Sequence, residues 1–428
     1  MNRRKFLQCA LGGSVLSLYT IKKLNAEIYA NLASLNQDYF DNYSPDGIYW
    51  DAVQNHFLFQ DDLVMMNNGT LGPMPEPVYN TLIKYFKLQT TNPYDCYNFI
   101  PRQKEEIRAR LAKFVNASPD EIAINRNTTE GMNLVANGID LKEGDEVLIS
   151  TLEHPAGIYP WRLQEKRHKI KVTEVPLVVP PKNVDEIVTA FEKRITPRTK
   201  VISVSHTVYI TGLIAPMKEL SELAHKNNIL IVADSAHGIG MLNLDMKKLG
   251  IDVFTSSPYK WCGAPTGTGL LYVKKEAQDS IWPQIASSGW DTYENARRFE
   301  TLGQRADPLV YALGEAICFQ EAIGRARIER RITSLAKRLK DGLHSISKVR
   351  LHTPDDPYLS GGLTAFSIEG INPTVIVNYL REKYNIVIRT IGRDRDNTRG
   401  VRVSTNIYIT NKDVDNLLEG VNEIVKKL

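Results

Sequence analysis

The 428-residue chain has little cysteine and little net charge, and it contains no internal repeat or low-complexity tract. Its cysteines are too scattered for a zinc motif or a disulfide framework, so we predict no metal site; they are Cys9, Cys96, Cys262 and Cys318. The net charge of +4 is small, and no long basic run carries interleaved aromatic residues, which argues against a nucleic-acid partner. A composition of 43% hydrophobic and 24% charged residues is typical of a soluble globular protein. The length predicts two or three domains, at about 100–200 residues each.

The first 26 residues differ from the rest of the chain. Arg3 and Arg4 precede Phe6-Leu7 and an uncharged, mostly apolar stretch that ends at Ile21. Such a segment is typical of a secretory signal, is too short to span a bilayer as a mature helix, and resembles a twin-arginine signal. We therefore expect residues 1–26 to direct export to the periplasm, with no stable membrane span in the mature chain. A basic starter helix on a cytoplasmic protein is the alternative, because two lysines follow the apolar stretch and no small-x-small cleavage site is evident.

The middle of the chain alternates short apolar runs with helical patterns. Runs that are largely apolar on both faces predict strands at 146–151, 200–205, 229–234, 252–257 and 269–273. Helical patterns lie between them, for example at 186–195 and 217–227. This alternation predicts an α/β fold with a mainly parallel sheet, in which ligands bind at the carboxyl ends of the strands.

The pattern changes after Pro308. Residues 308–346 are helical, 362–368 and 386–390 are strand-like, and the final residues from Thr410 form an amphipathic helix pattern. We therefore predict a large cofactor domain followed by a smaller C-terminal α+β domain. The expected divisions are an N-terminal arm at 27–66, the large domain at 67–307 and the small domain at 308–428.

Polar side chains follow several of the predicted strands. A carboxylate ends one strand and has a histidine three residues on, imidazoles follow two other strands, a lysine stands in the turn after a fourth, and two threonines open a helix. In that order these are Asp234 with His237, His154 and His206, Lys260 with Ser257, and Thr128 with Thr129. Each alone has a structural explanation as a turn residue, a polar plug or a helix cap. Together they supply an amine, a carboxylate, an imidazole and an anion-binding helix N-terminus at one edge of the sheet.

Pyridoxal phosphate is a cofactor that needs this set of groups. Its aldehyde forms a Schiff base with a lysine that has lost enough water to be nucleophilic, which predicts that role for Lys260. Its pyridine nitrogen must stay protonated, which requires a carboxylate such as Asp234. Its phosphate suits the hydroxyls and free N–H groups at a helix N-terminus, here Thr128 and Thr129.

At these residues the sequence resembles the class V aminotransferase family of fold-type I pyridoxal-phosphate enzymes, and within it the isopenicillin N epimerase-like branch. The similarity runs from about Asn67 to the C-terminus and is carried by ordered motifs, namely "MNNGTLGPMP", "NTTEGMN", "LEHPA", "SHTVYITG", "DSAHGIG", "SSPYKW" and "GVRVSTNIYIT". The resemblance implies a large domain with a seven-stranded, mainly parallel sheet, and a homodimer.

The resemblance also implies roles for individual residues. His154 would stack on the pyridine ring, Asp234 would pair with the ring nitrogen, and His237 would hydrogen-bond the ring's phenolic oxygen. Thr128, Thr129 and Ser257 would hold the phosphate. Arg402, in "GVRVS", would bind the α-carboxylate of an amino acid, since a guanidinium suits bidentate pairing. Arg389 lies where family members approach the substrate. Lys260, Asp234 and His154 would be the catalytic residues.

The sequence departs from the family pattern at three places. The loop in which cysteine desulfurases carry a persulfide-accepting cysteine reads "RTIGRDRDNTRGVR" here, with Asp394 near the expected position. Neither Cys262 nor Cys318 replaces that cysteine without a different geometry. Tyr209 stands where many relatives have an asparagine, and Gln304 stands where relatives often have a threonine that reaches the neighbouring subunit's phosphate.

Three functions remain open from the sequence. The first is an amino-acid epimerase or aminotransferase, in which Lys260 removes the α-proton. The second is a carbon–sulfur lyase acting on a cysteine conjugate without an enzyme persulfide. The third is a non-catalytic protein that binds the cofactor.

Overall fold

The computed structural model describes residues 25–30, 32, 47–60, 62–392 and 399–427. Most of the predicted signal segment, part of the predicted arm, and Asp394 lie outside the described residues. Within them, no helix is long and apolar enough to cross a membrane.

A seven-stranded sheet forms the centre of the fold, in the order β2-β8-β7-β6-β5-β3-β4. The strands are β2 (Ile122–Asn125), β3 (Glu146–Ser150), β4 (Lys171–Val175), β5 (Thr199–Ser205), β6 (Leu230–Asp234), β7 (Val253–Ser256) and β8 (Gly269–Val273). Strands β3 to β7 pair in parallel, and β8 pairs antiparallel with both β7 and β2. The predicted α/β fold with a mainly parallel seven-stranded sheet is confirmed. The sequence patterns did not predict β2 and β4.

Apolar side chains on the sheet alternate between two cores. Along β3, Leu148 packs into one cluster, whereas Val147 and Ile149 pack into the cluster on the opposite face. Strand β6 does the same with Ile231 and Val232. Successive side chains of a strand point to opposite faces, so strands covered on both sides are apolar throughout.

Helices surround the sheet and continue into the C-terminal part. Their bounds are α1 (Ile48–Gln54), α2 (Glu76–Thr91), α3 (Pro93–Phe114), α4 (Thr128–Gly138), α5 (Pro155–His168), α6 (Val184–Glu192), α7 (Met217–Lys226), α8 (Met246–Leu249), α9 (Asp307–Ile323), α10 (Arg325–His344), α11 (Pro373–Tyr384) and α12 (Asn411–Lys426). Short 3₁₀ helices lie at Pro119–Glu121, Lys275–Ser280 and Ala296–Glu300. The helical stretch predicted at 308–346 is two helices separated by Gly324, whose φ of 95° ends α9.

A four-stranded antiparallel sheet, in the order β12-β13-β10-β9, forms the core of the C-terminal part. Its strands are β9 (Val349–Leu351), β10 (Leu363–Ile368), β12 (Arg389–Ile391) and β13 (Gly400–Ser404). The strand predicted at 386–390 is divided, because β11 (Ile386–Val387) pairs with β1 (Val64–Met65) while β12 pairs with β13.

The N-terminal residues pack with this C-terminal part. Tyr49, Trp50 and Met66 share an apolar cluster with Phe366 and Val403 of the small sheet. Ser404 N–H of the small sheet donates to the Met66 carbonyl (2.8 Å), and Gly72 N–H donates to the carbonyl of Tyr259, which follows β7 of the large sheet (3.0 Å). The segment after Met66 is thereby held between the two sheets. The domain boundaries at 66/67 and 307/308 stay predictions.

Candidate active site

Lys260 lies in the turn after β7, where two segments of the chain meet. Its N–H donates to the Ser257 carbonyl (3.1 Å), and its carbonyl accepts from Asn68 Nδ2 (3.1 Å). Burial lowers the pKa of the Lys260 amine to about 8, although the Asp234 charge raises it; Arg402 and Arg389 lower it further. A large share of this amine is therefore unprotonated at slightly alkaline pH, as a nucleophile or base requires.

Asp234 is the last residue of β6 and is buried. Its Oδ1 accepts from the backbone N–H of Ala236 (3.1 Å). Burial raises the pKa of this carboxyl, while that hydrogen bond and the Lys260 charge lower it. A buried carboxylate at this position is a suitable partner for a cationic ring nitrogen.

The N-terminus of α4 presents hydroxyls and backbone N–H groups. Asn127 caps the helix by accepting from Glu130 N–H (2.9 Å). Both the N–H (3.1 Å) and the hydroxyl (2.8 Å) of Thr128 contact Ser257 Oγ, so the Ser257 hydroxyl faces the helix N-terminus. Thr129 follows and is exposed. The first turn of a helix favours anions such as phosphate.

His154 is the residue before α5, and its Nδ1 accepts from Ala156 N–H (3.1 Å). The ring centroids of His154 and Tyr209 are 4.8 Å apart at an interplanar angle of 83°, an edge-to-face contact. Tyr209, which stands where many relatives have an asparagine, thus lies directly against the imidazole that was predicted to stack on the cofactor.

His237 is buried beside Trp261, whose indole Nε1–H donates to His237 Nδ1 (3.1 Å). Burial lowers the pKa of His237 well below its ordinary value, and the charges of Lys260 and Arg402 lower it further, so the imidazole is neutral. Because an indole nitrogen only donates, Nδ1 is unprotonated and Nε2 carries the proton. His237 therefore has an N–H available as a donor.

Arg402 lies on β13, is 1% exposed, and has no anionic partner among the described residues. Its Nη1 donates to the Tyr209 carbonyl (2.8 Å), and its Nη2 donates to Asn67 Oδ1 (3.3 Å) and Thr70 Oγ1 (3.2 Å). Its Nε has no partner within the described part of the chain. Burial lowers the pKa of Arg402 to about 9, with a further contribution from Arg389.

Arg389 is paired directly opposite Arg402 in the antiparallel ladder and is exposed. Its Nη1 also donates to Thr70 Oγ1 (3.2 Å). Like charges directly opposite each other in a sheet are unfavourable, and a buried cation without an anion is costly. The pair of arginines is therefore suited to hold an anionic ligand.

Sequence reasoning did not single out residues of the segment 67–72, although it quoted the motif that contains them. Gly72 N–H donates to the Tyr259 carbonyl (3.0 Å), and a Cβ at Gly72 would lie 2.3 Å from the Lys260 carbonyl oxygen. A Cβ at Gly69 would lie 2.9 Å from Arg402 Nη2. The approach at Gly72 requires glycine because it is made to backbone atoms, whereas the neighbour of Gly69 is the end of a side chain. The closely spaced glycines of "NNGTLG" were the signal that could have revealed this segment.

All eight predicted site residues line one cavity of about 220 Å³; they are Thr128, Thr129, His154, Asp234, His237, Ser257, Lys260 and Arg402. Arg389, Tyr209 and Thr70 line it as well. A larger cavity of about 1010 Å³ lies beside the start of α3, but none of the eight residues lines it. The smaller cavity carries the convergent charged groups and is the candidate active site.

The model of one protein family, aminotransferase class-V, matches residues 65–417. The chain therefore belongs to the class-V aminotransferase family.

The relatives carry more than one activity in their names. The chain is 28% identical to isopenicillin N epimerase of Streptomyces clavuligerus over 88% of this chain and 98% of that protein. It is 27% identical to a probable cysteine desulfurase of Methanothermobacter thermautotrophicus over 85% of this chain and 95% of that protein.

Two solved structures of C-DES share the fold. One is a mutant with glycine covalently linked to its PLP cofactor, at a TM-score of 0.77 and 22% identity, covering 86% of this chain and 99% of that one. The other is the cystine C–S lyase in complex with its product cysteine persulfide, at a TM-score of 0.76 and 24% identity, covering 84% and 97%.

The chain is thus a pyridoxal-phosphate enzyme of fold type I. The cavity residues fit this cofactor chemically: a buried carboxylate, an amine of lowered pKa, a neutral imidazole with a free N–H, and hydroxyls at a helix N-terminus lie around one space. The roles assigned to single residues stay predictions.

Proposed function

We propose that this enzyme acts on the α-carbon of an α-amino acid, by epimerisation or transamination, as a relative of isopenicillin N epimerase. The observation that carries the proposal is Arg402, a buried guanidinium that reaches the same cavity as Lys260 and Asp234 and has neutral partners only among the described residues. A carboxylate on the substrate supplies the missing anion.

Each residue then has a defined task. Bound in the cavity, pyridoxal phosphate supplies an aldehyde that condenses with amines and a ring that delocalises the electron pair left at an α-carbon. Asp234 holds the proton on the ring nitrogen, and Thr128, Thr129 and Ser257 hold the phosphate. Arg402 orients the substrate carboxylate, and the Lys260 amine takes the α-proton. Delivery of a proton to the opposite face of the α-carbon gives epimerisation, whereas transamination follows when the proton does not return to the α-carbon.

The absence of a cysteine between Arg389 and Arg402 argues against a desulfurase that uses an enzyme persulfide. Among the described residues, Cys262 is buried, burial raises the pKa of its thiol, and no cysteine lines the cavity. We therefore prefer an activity that leaves no sulfur on the protein.

A carbon–sulfur lyase acting on a cysteine conjugate is the second candidate. The observation that favours it is the similarity of the fold to a cystine C–S lyase. Such a reaction uses the same α-proton removal and then expels the β-sulfur substituent, so it needs no enzyme thiol.

Incubation of the holoenzyme with a panel of amino acids in deuterated water separates these functions. Epimerisation exchanges the α-proton and inverts the centre without forming ketoacid. Transamination forms ketoacid without releasing ammonia or a sulfur product, whereas a lyase releases ketoacid together with ammonia and a thiol or persulfide. No exchange, ketoacid or sulfur product with any amino acid would contradict the proposal and leave a binding protein.

We further propose a homodimer built on the face around the larger cavity. Large aromatic side chains are exposed there, among them Tyr94 (74%), Tyr97 (59%) and Tyr293 (43%), and Gln304 lines the same cavity. Exposed aromatic clusters of this kind mark protein interfaces. Analytical sedimentation of the wild type should show a dimer, and the double variant Tyr94→Glu with Tyr97→Glu should dissociate at lower dilution. A wild-type protein that sediments as a monomer would contradict the proposal.

Export by residues 1–26 is a separate proposal, supported by the paired arginines and the apolar stretch alone. A fusion of residues 1–30 should carry a folded reporter to the periplasm, and lysines in place of Arg3 and Arg4 should block it. A reporter that stays in the cytoplasm with both arginines intact would favour a cytoplasmic enzyme.

A further inference from the structure

A second buried carboxyl group, that of Glu153, lies near Asp234 and has no role in the proposed reaction. Glu153 follows β3 by three residues and is 1% exposed. Its Oε1 accepts a hydrogen bond from Ser150 Oγ (2.5 Å), and its Oε2 accepts one from Ser205 Oγ (2.5 Å). Ser150 and Ser205 are the last residues of the neighbouring strands β3 and β5. The carboxyl of Glu153 is therefore fixed across the carboxyl ends of the sheet.

Glu153 and Asp234 flank the same backbone position. Ser205 is the direct register partner of Asp234 in the ladder between β5 and β6. A Cβ at Gly157 of α5 would lie 3.4 Å from Asp234 Oδ2 and 3.5 Å from Glu153 Oε2. The two carboxyl oxygens are therefore no more than about 7 Å apart, and in a buried place the negative charge of Asp234 raises the pKa of Glu153.

The surroundings decide which of the two carries the charge. Burial raises the pKa of Glu153 to about 7, against the hydrogen bonds from Ser150 and Ser205, and the negative charge of Asp234 raises it further. Burial also raises the pKa of Asp234, but the hydrogen bond from Ala236 N–H and the positive charge of Lys260 lower it. The neighbouring imidazole of His206 is directed to Ser235 Oγ (3.0 Å), and His154 packs against Tyr209. Below about pH 7 the proton therefore resides mostly on Glu153 and the charge on Asp234.

The two serines can serve either state of Glu153. A hydroxyl donates to an ionised carboxylate and accepts from a protonated one. Ser150 Oγ also accepts from Leu152 N–H (3.1 Å), which keeps it in place in both states. The cluster thus tolerates a change of charge on Glu153 without rearrangement of the strands.

We propose that Glu153 is a positioning residue that holds a proton beside Asp234, keeps Asp234 as the single negative charge facing the cofactor's ring nitrogen, and thereby sets the pH dependence of the site. The inference rests on the proposed role of Asp234. When Glu153 loses its proton, the second negative charge strengthens proton binding by the basic groups nearest to it, so the absorption of the bound cofactor should respond to the charge of Glu153.

The test compares the holoenzyme with its Glu153→Gln variant in the absence of substrate. Glutamine keeps the hydrogen bonds to both serines but cannot ionise. The cofactor absorption band of the wild type should change with a component near pH 7, and Glu153→Gln should lack that component while retaining cofactor. Glu222→Gln, which removes an exposed carboxylate of α7, is the matched control and should retain the component. A Glu153→Gln profile identical to that of the wild type would overturn the proposal.

Two further measurements keep the proposal falsifiable if Glu153→Gln fails to fold. Ser150→Ala removes a donor to the ionised carboxylate and should move the component to higher pH; an unmoved component would contradict the role of Glu153. Infrared difference spectra of the protein at about pH 6 should show a protonated buried carboxyl band that ionises near pH 7. An ionised Glu153 at that lower pH would also overturn it. Both readouts are made without an amino acid, so they stand even if the proposed substrate class is wrong.

Discussion

Replacement of Arg402 by methionine should have opposite effects on stability and on catalysis. In the substrate-free protein this guanidinium is buried, donates to three neutral oxygens, and has no anion among the described residues. Methionine fills a similar volume on β13 without a charge. The substitution removes the free-energy cost of burying the cation. It also removes the group that is proposed to hold the substrate carboxylate.

The magnitudes follow from the same contacts. Burial lowers the pKa of Arg402 from its ordinary value to about 9, which corresponds to roughly 5 kcal/mol at about 1.4 kcal/mol per tenfold change in the ionisation constant. Methionine leaves the Tyr209 carbonyl without its donor, at a cost of about 1–3 kcal/mol. The net expectation is an increase of about 2–4 kcal/mol in the free energy of unfolding. Loss of the charged pair with substrate should lower kcat/KM by at least about 30-fold.

Thermal or urea denaturation of the cofactor-free protein and steady-state kinetics of the holoenzyme measure the two effects. Arg350→Met on β9, an exposed strand arginine, is the control and should alter neither appreciably. Arg402→Lys should recover little activity, because one ammonium does not hold a carboxylate in a fixed plane. An Arg402→Met enzyme that unfolds more easily and keeps its kcat/KM would refute the reasoning.

Three other outcomes are expected. Gly72→Ala should destabilise the protein by about 1–3 kcal/mol, because its Cβ would meet the backbone oxygen of Lys260 at 2.3 Å. A calorimetric scan measures this loss, and an unchanged melting temperature would contradict the close approach. Asp234→Asn should lower kcat at least about 100-fold. Because the Asp234 charge raises the pKa of Lys260, that variant should also shift the alkaline rise in activity to lower pH; a shift to higher pH contradicts the coupling. Trp261→Phe removes the donor to His237 Nδ1 and should cost about 1–3 kcal/mol of stability, measured by denaturation; no loss would contradict the assigned tautomer.

The sequence predicted the large sheet well because its strands are apolar on both faces and end in chemically distinctive residues. Asp234 ends one such strand, His154 and Lys260 follow two others, and parallel strands bring their carboxyl ends to one edge. Strands that are partly exposed or very short were harder to predict from the sequence. Strand β4 begins with exposed Lys171 and alternates less clearly, and β1 is two residues that form only through pairing with β11.

The site could be predicted as a set of residues but not as an arrangement of charges. No local pattern shows that Arg402 and Arg389 are register partners, since β12 and β13 are joined through the segment 393–398. Glu153 reads as an ordinary residue before a histidine, and its burial between Ser150 and Ser205 arises only when β3 and β5 pair. Long-range pairing fixes these electrostatic relations, so they needed the folded structure.

The central claim is that Lys260 is the residue that binds pyridoxal phosphate covalently, and one measurement tests it most directly. Purified protein should show the yellow absorption of the bound cofactor, and borohydride should remove that band and fix the cofactor's mass on the peptide that contains Lys260, as read by mass spectrometry. Lys260→Ala protein should show no such reducible adduct. An adduct on another lysine, or one that persists in Lys260→Ala, would contradict the account.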